Sequence, residues 1–428
     1  MISLIMEVEL DKDKILRIMG PASIEIKKGA IKILGAEFRY GSRVIINRYR
    51  SYAVKAIDNS QLSITLGERG SVEEPAPGEE VVDEWEEVVD KILSKRGSCI
   101  VVVGPVESGK SSFSALIINK ALAKGYSPAV IDADVGQEDI APPGFIAMSY
   151  PSKPILWLRE LNPIAIKLIG FITPTLAIHR LLSGISTLIS KAKEAGKEPI
   201  IIDTDGWVQG YSALEVKAEI ARIAKATDIV VLDTTLGSKF KNIFRNSKIY
   251  VHNVKRPQIV RTRSREDRRY LRSQNYQRFF SSTRRIELDL NSITVMGSCL
   301  LSGKTIDHEK LREIEQILGT RVIYGAEHDE CIILYTEGNP KVPFSKVREV
   351  LGKDISIIVQ GSEKWIVSAI LDNNLEEVAP ALLEKIDFSK NRAIVLTKWN
   401  GEIRGLIIGR IKINDEWEEV GRPYKCLI

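Results

Sequence analysis

Residues 98–122, SCIVVVGPVESGKSSFSALIINKAL, restrict the possible folds of this chain more than any other stretch. A short apolar, mostly β-branched run enters Gly104-Pro-Val-Glu-Ser-Gly109-Lys110-Ser111, and helical periodicity follows. This is G-x-x-x-x-G-K-[ST] set between a strand and a helix, the context in which a backbone loop cradles phosphates. Glycines let the chain curl so that successive N–H groups point inward. The helix starting near Lys110 adds its positive N-terminal end. Lys110 is expected to bridge the β- and γ-phosphates, and the Ser111 hydroxyl to ligate Mg²⁺. The nucleotide-binding set is therefore Gly104, Pro105, Val106, Glu107, Ser108, Gly109, Lys110, Ser111 and Ser112.

A chain of 428 residues is too long for one core, so two or three domains are expected. Its 44% hydrophobic and 27% charged residues are those of a globular protein. No opening segment reads as a secretory signal, and no apolar run reaches the ~18 residues of a membrane span, which points to the cytoplasm and no membrane contact. Cys99, Cys299, Cys331 and Cys426 are scattered and read as reduced thiols. The four histidines show no metal-binding spacing. Net charge is only +5, but residues 255–285 hold ten arginines and one lysine against Glu266 and Asp267. That bias towards arginine suits phosphate forks better than a solvated face.

Residues 1–75 alternate β-patterned runs with glycine turns, as in a small antiparallel sandwich or barrel. The polar stretch 71–80, SVEEPAPGEE, reads as a linker, and VVDEWEEVVDKILSKRG after it has helical spacing. From 98 to 254 strands alternate with helices; the candidate strands are CIVVVG, PAVIDAD, PILWLR, PIIIDTD, DIVVLD and KIYVHNV. This predicts an α/β P-loop NTPase domain with a mostly parallel sheet. The arginine-rich block reads as a helix over 264–280, and β-patterned runs return from 286. The expected domains are an N-terminal β-sandwich-like domain (1–78), a central P-loop domain (79–285, with the arginine-rich stretch 255–285) and a β-rich α+β domain (286–428).

Three further constellations carry chemistry. Asp132-Ala-Asp134-Val-Gly-Gln137 ends the second strand, where a carboxylate can take the proton of an attacking hydroxyl. Residues two apart at a strand end diverge, so one of the two acids is expected to face the ligand. Ile200-Ile201-Ile202-Asp203 has the character of a buried strand that orients Mg²⁺ through Asp203. Trp207, in the glycine-bracketed loop beyond it, fits either a core or a base-stacking role. Thr173 or Thr175 of GFITPT could cap the helix that follows. No Asn-Lys-x-Asp guanine reader is present, which argues against a GTPase.

Together these residues resemble the polynucleotide 5′-hydroxyl kinases associated with pre-mRNA 3′-end cleavage, tRNA splicing and ribosomal RNA processing, and their archaeal relatives. The elements GPVESGKSS, DVGQ, ITPT, TDGWVQG and an Arg-Ser segment ending in Phe279-Phe280 occur in that family's order. The resemblance implies that Asp134 activates the 5′-hydroxyl, with Gln137 near the transferred phosphate. It implies a metal set of Ser111, Asp134 and Asp203. Trp207 would stack the terminal base, and Thr173, with Thr175 beside it, would hold the first backbone phosphate. Arg263, Arg268 and Arg272 would form a lid over the triphosphate. Asp203 and Asp205 depart from the family, where Asn and an uncharged residue are common. The expected function is an ATP- and Mg²⁺-dependent kinase acting on 5′-hydroxyl ends of RNA and also DNA, with RNA-processing proteins as partners. A structural ATP-binding subunit and a general P-loop ATPase are the alternatives.

Overall fold

The computed structural model describes residues 4–342, 348–349 and 352–421. They divide into two compact units, one of 1–141, 146–165 and 178–268, the other of 142–145, 166–177 and 269–428.

The first unit begins with nine short strands: β1 (Leu4–Leu10), β2 (Ile15–Met19), β3 (Ala22–Lys28), β4 (Ala30–Ile33), β5 (Ala36–Arg39), β6 (Arg43–Ile46), β7 (Ser51–Ala56), β8 (Ser60–Leu66) and β9 (Ser71–Glu73). They form two sheets, ordered β1-β8-β3-β6 and β5-β4-β7-β2-β9. Burial alternates strictly along β7, as expected of strands with one face on a core. The expected linker is in part a strand, because β9 pairs with β2. Arg17 of β2, almost wholly buried, then holds Glu80 (2.7 Å), Glu79 (3.1 Å) and Glu73 (3.6 Å). Three acids gathered by one guanidinium turn a polar, proline-containing stretch into a fixed strap.

Next come α1 (Val82–Ile92), β10 (Cys99–Val103), α2 (Lys110–Ala123), β11 (Ala129–Ala133), β12 (Phe145–Ser149), β13 (Ala165–Leu168), α3 (Ile178–Glu194), β14 (Ile200–Thr204), α4 (Tyr211–Ala224), β15 (Asp228–Val231), α5 (Thr234–Ile243), β16 (Tyr250–Asn253) and α6 (Arg265–Phe280). The sheet runs β13-β12-β11-β14-β10-β15-β16. β10 lies between β14 and β15 and is parallel to both, β11 is parallel to β14, and β12 is antiparallel to β11. Every residue of β10, β11 and β14 is buried, as a sheet covered on both faces requires. The expected strand PILWLR does not form. Pro154 and Pro163 flank a 3₁₀ turn at Leu158–Glu160, where the Glu160 carboxylate accepts from the Leu156 and Trp157 amides.

The second unit is β-rich. Strands β17 (Arg284–Asp289), β18 (Thr294–Met296), β19 (Lys304–Thr305), β20 (Val322–Glu327), β21 (Cys331–Thr336), β22 (Asp354–Val359), β23 (Ile366–Leu371), β24 (Glu377–Asp387), β25 (Arg392–Thr397) and β26 (Gly405–Lys412) make two sheets. Their orders are β17-β25-β24-β23-β26-β18 and β19-β20-β21-β22. The short α7 (Cys299–Ser302) and amphipathic α8 (His308–Leu318) supply Leu300 and Leu311, Ile314 and Leu318 to its cores.

Among the described residues no helix is long and apolar enough to cross a membrane. The expectation of four reduced thiols is corrected at Cys299, which is disulfide-bonded, while Cys99 and Cys331 are free. Cys426 lies outside the described residues. Burial at the start of β10 pushes the Cys99 thiol up to about 12. A thiol reagent near neutral pH should therefore label Cys331 in the native protein and reach Cys99 only after unfolding; equal native labelling would contradict this packing.

Candidate functional site

Gly104 follows the last residue of β10, and the loop 104–109 delivers the chain into α2. Gly109 adopts φ 95°, and a Cβ there would lie 2.8 Å from the Trp85 ring. Glycine is required on both counts. Trp85 of α1 stands edge-on to Phe113 of α2 (5.1 Å between centroids), and its Nε1 donates to the Lys255 carbonyl (2.8 Å). No side chain caps α2, so its first amides face the loop hollow. Ser108 Oγ is buried without a hydrogen-bond partner. Lys110 is buried, and its Nζ donates to the Pro105 carbonyl (3.0 Å). Burial lowers the lysine's pKa, and the carboxylates of Asp203 and Asp134 oppose that shift.

The acids that face Lys110 come from the ends of adjacent strands. Asp203 in β14 is level with Val102 in β10 on one side and Asp132 in β11 on the other. Its carboxylate accepts from the Ser111 hydroxyl, while Oδ1 is buried with no hydrogen-bond partner. Burial pushes the group up to about 7 against the pull of Lys110. Asp132 and Asp134 do divide their roles. Asp132 is 2% exposed and accepts from the Asp134 and Asp139 amides, anchoring both ends of the DVGQ loop. Asp134 is only partly buried, and burial together with the Asp205 charge raises its pKa, while Lys110 lowers it. Its Oδ1 accepts from the Gly136 and Gln137 amides (3.1 and 3.0 Å). The Gln137 side-chain amide donates to the Gly136 carbonyl.

Asp205 and Lys217 were not singled out as a functional pair by sequence pattern. Asp205 Oδ2 accepts from Lys217 Nζ at 2.5 Å, with side chains 5% and 1% exposed, and its Oδ1 accepts from the Trp207 amide at 2.7 Å. The pair thus fixes the backbone that presents Trp207, which is partly exposed and so not a core tryptophan. Gly206 is required there, because a Cβ would meet Val106 of the phosphate loop at 2.6 Å. The missed signal was a lysine on the apolar stripe of α4, among Ala213, Val216, Ile220 and Ala221.

Glu107 draws the arginine-rich segment to the loop. Its carboxylate accepts from the Arg263 amide (2.8 Å) and lies 3.7 Å from Arg268. Arg263 also donates to the Tyr49 carbonyl (3.2 Å), and burial with nearby Arg50 lowers its guanidinium to about 10. Arg50 and Arg159 stack on the Trp157 ring (4.4 and 4.6 Å) and share Asp139, a network that sequence spacing did not reveal. Arg272, Thr173 and Thr175 belong to the second unit. There Arg272 holds Glu419 through two bonds (2.5 and 2.7 Å). Thr173 precedes the 3₁₀ turn Pro174–Leu176, yet its side chain makes no capping bond, and both threonines are exposed. The helix-cap reading of Thr173 is thus corrected.

The hollow fits a triphosphate with its metal: uncapped helix amides, an unpartnered Ser108 hydroxyl and an unpartnered Asp203 oxygen are what phosphate and Mg²⁺ would satisfy. Fold and site define a P-loop nucleoside-triphosphate-binding protein. Residues 104–282 match the family described as mRNA cleavage and polyadenylation factor CLP1 P-loop.

Similar proteins span most of the chain. A polyribonucleotide 5′-hydroxyl-kinase of Pyrococcus horikoshii is 26% identical over 336 residues, 78% of this chain and 91% of the relative. One of Methanocaldococcus jannaschii is 24% identical over 330 residues, 75% and 89% of the two chains. The fold is also that of the solved structure of a wild-type Clp1p–Pcf11p complex, with a TM-score of 0.64 at 16% identity over 96% of this chain and 98% of the other.

Replacing Lys217 by Met strands the Asp205 carboxylate in a dry site, which should cost ~3–5 kcal/mol in urea unfolding. Adding Asp205→Asn to the same chain should recover most of that loss. A single substitution that costs nothing would show that the pair is not closed in solution.

Proposed function

We propose that this chain is an ATP-dependent polynucleotide 5′-hydroxyl kinase that moves the γ-phosphate of ATP to the 5′-hydroxyl of RNA. The observation that carries the reading is the placement of Asp134. A carboxylate of raised pKa, partly open to solvent, faces Lys110 beside the phosphate loop. The acceptor oxygen forms a bond to the γ-phosphorus as the bond from that phosphorus to the β–γ bridging oxygen breaks, releasing ADP. The hydroxyl proton passes to Asp134, whose raised pKa makes it a stronger base than an ordinary aspartate. Lys110 and the first amides of α2 bind the triphosphate and orient it. Bound Mg²⁺ would neutralise phosphate charge, held by Ser111 and Asp203 with Asp134 beside them.

In this reading Arg263 and Arg268 bring positive charge to the triphosphate from the Glu107-tethered segment, and Arg272 extends the same helix. Trp207 offers a ring for the terminal base. Gln137 lies by the transferred phosphate, and Thr173 and Thr175 hold the first backbone phosphate. DNA ends serve as a second acceptor, and RNA-processing proteins as partners. Three parts, 1–78, 79–285 and 286–428, share this work.

The test incubates the protein with γ-labelled ATP and matched oligonucleotides bearing a 5′-hydroxyl or a 5′-phosphate. Label should reach only the 5′-hydroxyl strand. Lys110→Ala and Asp134→Asn should each cut transfer by roughly 100-fold or more, and only Lys110→Ala should also weaken ATP binding. Label on neither strand would overturn the reading, and free phosphate in its place would assign an ATPase. Near-normal transfer by Asp134→Asn would remove the base from Asp134.

A further inference from the structure

A groove of about 610 Å³ opens where α5 ends and β16 begins, lined by Lys241, Phe244, Arg245, Lys248 and Tyr250 among others. No carboxylate lines it. Lys241, Arg245 and Lys248 are exposed, and among the described residues none of the three forms an ion pair. Tyr250 is 59% exposed, with Lys95 Nζ 4.8 Å from its ring centre. Strand register locates the groove. Tyr250 is level with Asp228 at the start of β15, whereas Val231 at the end of β15 is level with Val103, which leads into the phosphate loop. The groove therefore lies at the opposite end of the parallel strands from the nucleotide site, roughly 15 Å away along the sheet.

We propose that this groove binds the single-stranded body of the nucleic-acid substrate, downstream of the 5′ end being phosphorylated. The proposal rests on the kinase reading for its substrate but involves none of the residues placed at the reaction. Three unpaired cations with no opposing acid suit consecutive backbone phosphates, and an exposed tyrosine among them suits a stacked base. An acidic protein segment would satisfy the charges, but only a nucleic-acid strand presents a phosphate and a stackable ring in every repeating unit. β16 ends the order of its sheet, so among the described residues no further strand pairs along this border. The groove adds affinity only for a substrate long enough to reach it, and it reads no sequence.

The test compares the parent protein with Lys241→Glu/Arg245→Glu/Lys248→Glu, whose exposed positions leave the core intact, and with Tyr250→Ala. KM for a long single-stranded 5′-hydroxyl oligoribonucleotide should rise at least about tenfold in the triple variant. KM for a 5′-hydroxyl trinucleotide, KM for ATP and kcat should stay unchanged. The salt dependence of long-strand binding should flatten by about two units in log–log slope, near 0.7 for each lost phosphate contact. Tyr250→Ala should weaken long-strand binding roughly tenfold with an unchanged salt slope. Unchanged long-strand KM and salt slope in the triple variant would overturn the proposal. So would a loss confined to an acidic peptide probe, which would assign the groove to a protein partner. Anisotropy with a labelled 5′-phosphorylated strand measures the groove without turnover. Intact, variant-sensitive binding with no phosphoryl transfer would sink the kinase reading and leave the groove standing.

Discussion

Two lysines keep three carboxylates in place on the floor of the site. Asp203 and Asp134 face Lys110, and Asp205 is held by Lys217, all at the carboxyl ends of strands whose residues are fully buried. Burial makes such acids resist ionisation and their mutual repulsion adds to it, as the upward displacement of Asp134 and Asp203 records. The lysines make the crowding tolerable, and the result is a pocket whose acids are partly compensated before any ligand arrives. Each remaining mismatch is chemically useful: an oxygen on Asp203 free to meet a cation, and a carboxylate on Asp134 free to take a proton.

The central sheet was legible because parallel strands buried on both faces leave unbroken β-branched runs such as CIVVV and IIIDT. The phosphate loop was legible for a different reason: its glycines answer local needs, a positive φ at Gly109 and no room for a side chain against Trp85. Lys217 was hidden because its partner lies twelve positions earlier, across a loop and half a helix, where no short pattern reaches. Arg50 and Asp139 are eighty-nine positions apart and meet only because the N-terminal strands pack on the core. PILWLR was misread because its apolar content mimics a strand, while the Glu160 carboxylate, by accepting from the Leu156 and Trp157 amides, holds the backbone in a turn instead. The roles of Asp132 and Asp134 separate only when their bonding partners are visible, since both acids look alike in sequence.

The N-terminal strands are tied to the nucleotide-binding sheet by polar contacts that tolerate little substitution. Tyr52 donates to the Leu156 carbonyl, and Asn119 donates to the carbonyls of Leu34 and Ile155. Arg17 secures the strap that leads into α1. Buried groups of this sort carry a large penalty when one partner is lost, which makes the seam between sandwich and sheet a specific one.

One indole stands at the junction of all this. Trp85 backs Gly109, packs on Phe113 and bonds the carbonyl of Lys255, where the arginine-rich segment departs. A fragment cut to start at β10 would lose that buttress, so the phosphate loop has no autonomy as a minimal module. Its curvature is borrowed from a helix that precedes it by a dozen residues. The same ring also anchors the backbone at Lys255, so one side chain fixes both the turn of the phosphate loop and the start of the arginine-rich segment.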